Sequence, residues 1–341
     1  MKRFVKKMLL LALLMVLTIT ALNRLGIKAG SIYKDGAALV CEAKRRMVRS
    51  GAMHYKKNKV NVLFMGTSRI LAGIVPIHFD ELTGGRTFSY NLGLPALPIS
   101  SSYFVLKDYL EKNPPPHYIV IQLHINRCQE CKWVNYYSSQ GMRGWEEMFS
   151  LFKNMENKSI IIEYLFPFKR YKFHTFSYLF DSVFCPSAVR QLQEKNRAIL
   201  SRMAADRGFY FIEEQALTEN NRLPEELVQR RVGEVKKKSI YDPFIDPYVE
   251  KFFDLTSKNR VKVLLIQPAF RENQYARYEN MPLQFNSILK RYNNVFSAKQ
   301  GWKLKFYDHR FFSDPTHLNE EGAMRFTEDI YNEFIEVFPV F

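Results

Sequence analysis

A serine, an aspartate and a histidine stand at positions where they could together form a nucleophilic site. Ser68 lies in the stretch GTSR (66–69), directly after an apolar run, and Asp314 and His317 lie in DPTH (314–317). A spacing of three residues across a turn lets Asp314 accept a hydrogen bond from one ring nitrogen of His317. The other ring nitrogen could then take the proton of the Ser68 hydroxyl. These residue types indicate acyl transfer through a serine nucleophile.

Each piece of this pattern also has an ordinary structural interpretation. A serine after a strand often caps a helix, and an Asp–His pair can cap the helix that begins near residue 319. Gly93 and Asn126 offer N–H donors of the kind that stabilise an oxyanion, although both residue types are common in turns. The order favours the catalytic interpretation, because Ser68, Gly93, Asn126 and DPTH fall at the ends of successive predicted strands.

Apolar periodicity predicts the elements that must position these residues. Short apolar runs rich in β-formers predict strands at 59–66, 86–93, 117–126, 260–268 and 302–308. Helical spacing predicts helices at 96–113, about 245–258, about 280–296 and 319–338. The alternation predicts an α/β protein with a parallel sheet covered on both faces. The carboxyl ends of its strands share one edge, so Ser68 and DPTH should meet there.

The amino-terminal segment has the pattern of a secretory signal. Residues 1–7 are basic, and residues 8–22 contain no charge. The uncharged run is shorter than the ~20 residues that usually span a bilayer, yet no clear cleavage site follows. We favour an uncleaved signal anchor, formed by residues 1–25, rather than a cleaved signal. The bulk of the chain would then be extracytoplasmic. A basic connector (26–58) would then lead into an α/β domain (59–341).

An insertion at about 128–240 interrupts the predicted domain after its third strand. Its first half is rich in aromatic residues, and its second half has the pattern of a polar helix. We interpret it as a cap or partner-binding subdomain; helical decoration packed on the sheet is the alternative. Cys128 and Cys131 could pair outside the cytoplasm, although free or incidentally paired cysteines are our default. A lone C-x-x-C lacks the second ligand pair of a zinc site, and we predict no metal or cofactor.

The charge of the chain is strongly positive. Lys and Arg number 50 against 34 Asp and Glu, a formal net charge of +16. The excess is either a solvated basic surface or an attraction to an anionic partner, such as membrane lipid or an acidic polysaccharide. The sequence contains no zinc-finger, RRM or KH signature, so we predict no nucleic-acid partner.

The order of these motifs resembles the SGNH (GDSL-like) hydrolase superfamily. GTS, NLG (91–93), LHIN (123–126) and DPTH are similar to its four blocks in sequence and order. The resemblance spans about 59–127 and 245–338, most of the chain apart from the anchor and the insertion. It implies a three-layer α/β/α, flavodoxin-like fold with a five-stranded parallel sheet.

The resemblance also implies roles for individual residues. Ser68 would be the nucleophile, His317 the general base, and Asp314 the group that orients the imidazole. The backbone N–H groups of Ser68 and Gly93, with the side-chain amide of Asn126, would form the oxyanion hole.

The chain departs from the blocks of the superfamily at some positions. Thr67 takes the place of the usual middle Asp of the first block, and HINR puts His124 and Arg127 where the third block has Gly and Asp. The second change weakens the role of the neighbouring Asn126. Arg69 could bind an anionic group of donor or polymer, or form a salt bridge within the fold.

GTSR after an amino-terminal anchor is similar to the branch of the superfamily that works on bacterial envelope polymers. That branch includes proteins of D-alanyl transfer to teichoic acid and of alginate acetylation. The resemblance implies a membrane-anchored esterase or O-acyltransferase that acts on an acylated polysaccharide or an acyl donor beside a membrane-bound O-acyltransferase. The alternatives are a non-catalytic envelope protein that binds acylated polymer or scaffolds such a complex, and a free secreted esterase.

Overall fold

The computed structural model describes residues 2–28, 36–50, 53, 56, 58–97, 99–122, 181–210, 247–271, 286–299, 305–314 and 316–339. The helices are α1 Lys2–Lys28, α2 Gly36–Arg49, α3 Ser68–Leu71, α4 Pro76–Leu82, α5 Ile99–Lys112, α6 Pro186–Ala205, α7 Pro247–Lys258, α8 Asn286–Arg291 and α9 Glu320–Val337, with a 3-10 turn at His309–Phe311. The strands are β1 Val60–Met65, β2 Thr87–Asn91, β3 Tyr118–Gln122, β4 Lys262–Ile266, β5 Ala269–Arg271, β6 Val295–Phe296 and β7 Lys305–Tyr307.

The chain divides into two compact units. One comprises residues 1–42 and 135–201, and the other comprises residues 43–134 and 202–341. Helix α6 confirms the polar helix predicted in the second half of the insertion, while the aromatic first half lies outside the described residues. Within the described part of the chain, none of the helices combines the length and apolarity needed to cross a membrane.

The central sheet has five parallel strands in the order β2-β1-β3-β4-β6. Val62 lies beside Tyr118 where β1 pairs with β3, and Gln122 lies beside Ile266 where β3 pairs with β4. The predicted α/β class and five-stranded parallel sheet are therefore confirmed. The inner strands β1, β3 and β4 are largely apolar runs, as expected for parallel strands buried on both faces. The edge strand β2 (TFSYN) instead alternates polar and aromatic residues.

Both faces of the sheet are buried. On one face Phe64 meets Phe79 of α4 with ring centroids 5.0 Å apart, and Phe79 meets Phe334 of α9 at 5.4 Å, both edge-on. Such pairs contribute about 0.5–1.5 kcal/mol each beyond their burial. Residues of the opposite parity, such as Leu63 and Ile119, are buried as well. On that side α5 packs against α7, which also contacts β4.

Helix α9 closes the first of these faces. Its N-cap is Asn319, whose Oδ1 accepts the Gly322 N–H at 2.9 Å. Four of its residues are predicted to face inward. Phe326, Ile330 and Phe334 are buried, and Met324 is half-buried. The helical periodicity thus identifies the buried side of this helix correctly.

The prediction that 302–308 is the fifth strand of the central sheet is wrong. The described part of that run, β7, pairs in parallel with β5 in a separate two-stranded sheet. Lys305 and Tyr307, on one side of β7, contact Glu333 and Asp329 of α9. The fifth strand of the central sheet is instead β6, which is only two residues long and lies within the run predicted as a helix at 280–296.

His117 makes the stability of the fold depend on pH. Its Nδ1 accepts the Asn61 N–H at 2.9 Å, so this nitrogen must be unprotonated. Partial burial lowers the pKa of His117 below its usual value. The folded state favours the neutral ring, and its stabilising effect is complete only above the pKa of an unfolded histidine, about 6.5. We expect the free energy of unfolding to fall as the pH drops below that value.

Urea unfolding between about pH 7.5 and 5.5 measures this dependence. His117→Gln keeps a hydrogen-bond acceptor that does not titrate, so the dependence on pH should become shallower. His309→Gln is the matched control, because His309 is an exposed histidine beside Asp308. A His117→Gln protein with the same pH dependence as the wild type would contradict the assignment.

Candidate active site

The structure brings Ser68, His317 and Asp314 together in one chain of hydrogen bonds. Ser68 Oγ lies 2.8 Å from His317 Nε2. The other ring nitrogen, Nδ1, lies 2.6 Å from Asp314 Oδ2. Each distance lies within the range expected between a nucleophile, its base and the group that orients the base. The proximity expected from the ends of the strands is present.

A tight strand-to-helix turn presents Ser68. Gly66 has φ +148°, a conformation that glycine adopts readily, and a Cβ there would lie 2.7 Å from Ile70 Cγ1. Thr67 is the N-cap of α3, and its Oγ1 accepts the Arg69 N–H at 3.3 Å. Ser68 is therefore the first residue of α3 and is half-buried.

The histidine loop, which we define as residues 311–319, is held by its own backbone. Asp314 Oδ1 accepts the N–H of Thr316 at 2.7 Å and that of His317 at 2.9 Å. The Ser313 N–H donates to the His317 carbonyl at 2.9 Å. The aspartate thus uses one oxygen to close the turn and the other to hold the imidazole, which explains the spacing of three residues.

The surroundings of Asp314 favour its charged form. Burial alone would raise the pKa of the carboxyl, but the hydrogen bond and charge of His317, with the N–H groups of Thr316 and His317, hold the pKa well below its usual range. An ionised Asp314 accepts from Nδ1–H and so leaves Nε2 unprotonated in the neutral ring. Nε2 is then the acceptor that faces the Ser68 hydroxyl. The side chain of His317 is 21% exposed, so the imidazole is accessible from solvent.

The predicted oxyanion donors have different outcomes. The Ser68 N–H has no acceptor among the described residues, so it can donate to a ligand. The Gly93 N–H donates to Asn91 Oδ1 at 2.8 Å, and a Cβ at Gly93 would lie 2.5 Å from the Leu71 nitrogen. A local turn therefore uses the Gly93 N–H in this structure, and its role as an oxyanion donor stays a prediction. Asn126 lies outside the described residues.

Arg69 connects the serine turn to the second sheet. Its Nη1 donates to the Ala269 carbonyl at 3.1 Å, and its guanidinium lies 4.9 Å from the centroid of the Phe270 ring. Ala269 and Phe270 belong to β5, whose partner β7 leads into the histidine loop. Arg69 thus links the serine turn to the strand that pairs with β7; the predicted contact with substrate stays a prediction.

Sequence reasoning missed two polar residues that contact the serine turn. Gln122 Oε1 accepts the Thr67 hydroxyl at 2.9 Å, and Asn91 Nδ2 donates to the Ile70 carbonyl at 2.7 Å. Each is the last residue of a strand in which every residue is buried. A carboxamide at the end of a buried strand was the available signal.

The remaining candidates for metal or redox chemistry are few. Among the residues that the structure describes, no group of three or more His, Cys, Asp or Glu side chains could hold a metal ion. Cys41 is buried, and Cys185 is exposed and forms no disulfide with a described residue. Cys128 and Cys131 lie outside the described residues, so their pairing stays a prediction.

Comparison with known proteins gives one family. A search of the curated proteins finds no match. A family model with the description "Protein of unknown function (DUF1574)" matches residues 2–333. Since the match covers nearly the whole chain, the protein belongs to the DUF1574 family.

Proposed function

We propose that this protein is a serine esterase or O-acyltransferase of the SGNH type, with Ser68 as nucleophile, His317 as general base and Asp314 as the orienting acid. The observation that carries the proposal is the continuous path from Ser68 Oγ to His317 Nε2 (2.8 Å) and from His317 Nδ1 to Asp314 Oδ2 (2.6 Å). Capping of a helix would explain the aspartate, but it would not explain why the imidazole reaches a serine 249 positions away.

The mechanism follows from these contacts. Ser68 Oγ attacks the carbonyl carbon of an acyl ester or thioester while His317 Nε2 takes its proton. The tetrahedral oxyanion accepts a hydrogen bond from the Ser68 N–H. The intermediate collapses, and the protonated imidazole gives its proton to the leaving group. An acceptor hydroxyl, from water or a sugar, then loses its proton to His317 and attacks the acyl-enzyme. The new tetrahedral intermediate breaks its bond to Ser68 Oγ, which takes the proton back from His317 as the acid or ester product leaves.

Asp314 acts on the imidazole rather than on the substrate. Its carboxylate holds the ring in the tautomer with the proton on Nδ1 and stabilises the imidazolium that forms in each half-reaction. The depressed pKa of Asp314 keeps this charge in place over the physiological pH range. No cofactor is needed for this chemistry.

We further propose that the substrate is an acyl ester of a cell-envelope polysaccharide and that the protein is anchored on the extracytoplasmic side of a membrane. The support is the order of the sequence motifs, GTSR after a basic and then uncharged amino terminus, and the net charge of +16. A membrane-bound O-acyltransferase is the proposed partner.

A second candidate function is a non-catalytic envelope protein that binds acylated polymer or scaffolds a complex. Two observations favour it. The Gly93 N–H is engaged by Asn91 rather than free for an oxyanion, and the third block is altered to HINR. Loss of one oxyanion donor typically raises the activation barrier by about 2.7–4 kcal/mol. Loss of the Gly93 donor would therefore slow an enzyme without removing its nucleophile.

Labelling with a serine-reactive fluorophosphonate separates the two functions. We expect the wild-type protein to be labelled at Ser68, with the site read by peptide mass spectrometry, and His317→Ala to lose the labelling because no base activates the serine. His309→Ala is the matched control, since His309 lies beside Asp308 in an exposed pair, and it should be labelled at the wild-type rate. A folded wild-type protein that resists the reagent would favour the non-catalytic candidate.

A further inference from the structure

Two buried carboxamides flank the turn that carries Ser68. Asn91 ends β2 and Gln122 ends β3, and β1, which leads into the turn, lies between those strands. Asn91 is 0% exposed and Gln122 is 3% exposed. A carboxamide is costly to bury unless it is hydrogen bonded, so the partners of these two side chains indicate their role.

Gln122 fixes the residue before the serine. Its Oε1 accepts the Thr67 hydroxyl at 2.9 Å and the Thr67 N–H at 3.4 Å. Because both Thr67 groups donate, the carbonyl end of the amide must face them. Gln122 therefore holds the N-cap of α3, and through it the start of the helix at Ser68.

Asn91 fixes the segment after the serine. Its Nδ2 donates to the Ile70 carbonyl at 2.7 Å and to the Ile74 carbonyl at 2.9 Å. Its Oδ1 accepts the Gly93 N–H at 2.8 Å. Helix α3 has four residues, and the Ile70 carbonyl already accepts the Gly73 and Ile74 N–H groups at 3.2 and 3.1 Å. Asn91 adds a side-chain donor to this carbonyl and so fixes the end of the short helix.

The backbone of Asn91 is held as well. Its N–H donates to the Arg207 carbonyl at 2.9 Å. Its carbonyl accepts from Lys44 Nζ, which also contacts the Gly208 carbonyl. With main chain and side chain both fixed, the amide of Asn91 is organised before any ligand arrives.

We propose that Asn91 and Gln122 are positioning residues, which hold Ser68 Oγ in line with His317 Nε2 for the chemical step. Their side chains contact residues on either side of Ser68, so they act through the backbone of the turn. A misplacement of a reacting atom by about 1 Å can cost on the order of 10²-fold in rate. The inference rests on the proposed serine chemistry and names the residues on which its rate depends.

The same amide-to-acid change gives opposite expectations at the two positions. Gln122→Glu keeps an oxygen that accepts from Thr67, so kcat for a chromogenic acetyl ester should stay within about fivefold of wild type. Asn91→Asp keeps the acceptor for Gly93 but replaces the donors to Ile70 and Ile74. We expect its kcat and its rate of labelling by fluorophosphonate to fall roughly 10- to 100-fold, with KM little changed.

Gln122→Met provides a second, uncharged test. It removes the acceptor at similar size, so its kcat should fall as in Asn91→Asp while Gln122→Glu rescues it. Gln267→Met is the matched control, because Gln267 is 1% exposed directly after β4 and its amide has no hydrogen-bond partner among the described residues. This control should keep the wild-type kcat.

Thermal unfolding, measured on each variant, separates positioning from structure. Folded Asn91→Asp and Gln122→Met proteins with wild-type kcat and labelling rate would overturn the inference, and so would a lowered Tm with kcat unchanged. A wild-type protein that fluorophosphonate does not label would instead overturn the proposed function, and this inference with it. Loss of kcat in Gln122→Met with rescue in Gln122→Glu supports it.

Discussion

Replacing Ser68 with alanine should lower kcat for a chromogenic acetyl or short-acyl ester by at least about 10⁴-fold. The substitution removes the oxygen that lies 2.8 Å from His317 Nε2 and leaves the base without a nucleophile. The residual rate would come from substrate binding and from the backbone N–H at position 68, which alanine retains. KM should change little, because the hydroxyl contributes to the chemical step rather than to ground-state binding.

The matched control for this variant is Ser257→Ala. Ser257 is an exposed serine of α7, so its loss should leave both kcat and the unfolding midpoint at wild-type values. Steady-state turnover and urea unfolding are measured on the three proteins in parallel. If Ser68→Ala is folded and hydrolyses the ester at the wild-type rate, serine has no part in the reaction.

Replacing Asp314 with asparagine should lower kcat by about 10⁴-fold while Ser68 and His317 both remain. Asparagine keeps an oxygen for the Thr316 and His317 N–H groups, but its NH₂ then faces Nδ1. The ring must accept there, which moves its proton to Nε2, and Nε2–H cannot take the proton of Ser68. The fall in kcat therefore comes from the wrong tautomer of His317 rather than from a disrupted structure.

Asp308→Asn is the matched control for this second variant. Asp308 also lies beside a histidine, His309, but the pair is exposed and Asp308 caps the 3-10 turn through an oxygen that asparagine retains. Its turnover should equal that of the wild type. Equal turnover in Asp308→Asn and Asp314→Asn would show that the second carboxylate does not orient the base.

The meeting of Ser68 and His317 was predicted from strand ends that share one edge, although β7, the strand that leads into the histidine loop, lies in the second sheet rather than the central one. The apolar run before Ser68 predicts a buried strand, and the alternation with helices predicts that strand ends share one edge. The Asp-x-x-His spacing adds a local turn in which a carboxylate can serve both the backbone and the ring. Periodicity and turn chemistry are short-range properties, so they can be read from the chain itself.

Other features could not be predicted, because they depend on contacts between distant segments. Strand β6 has two residues, too few to show any period. The Gly93 N–H appears free until Asn91 is known to turn its side chain back toward it. Likewise, nothing in the run around Gln122 indicates that its amide would meet Thr67, since that contact needs β1 and β3 to lie side by side.

The separation of the nucleophile from its base along the chain has a consequence for biosynthesis. Ser68 and His317 are 249 positions apart, and the histidine loop is anchored by Asn319 at the start of α9. While the ribosome is still making the intervening polypeptide, the serine has no imidazole to activate it. On the proposed mechanism, the nascent chain would have no complete active site until α9 has emerged and the histidine loop has folded against the serine turn.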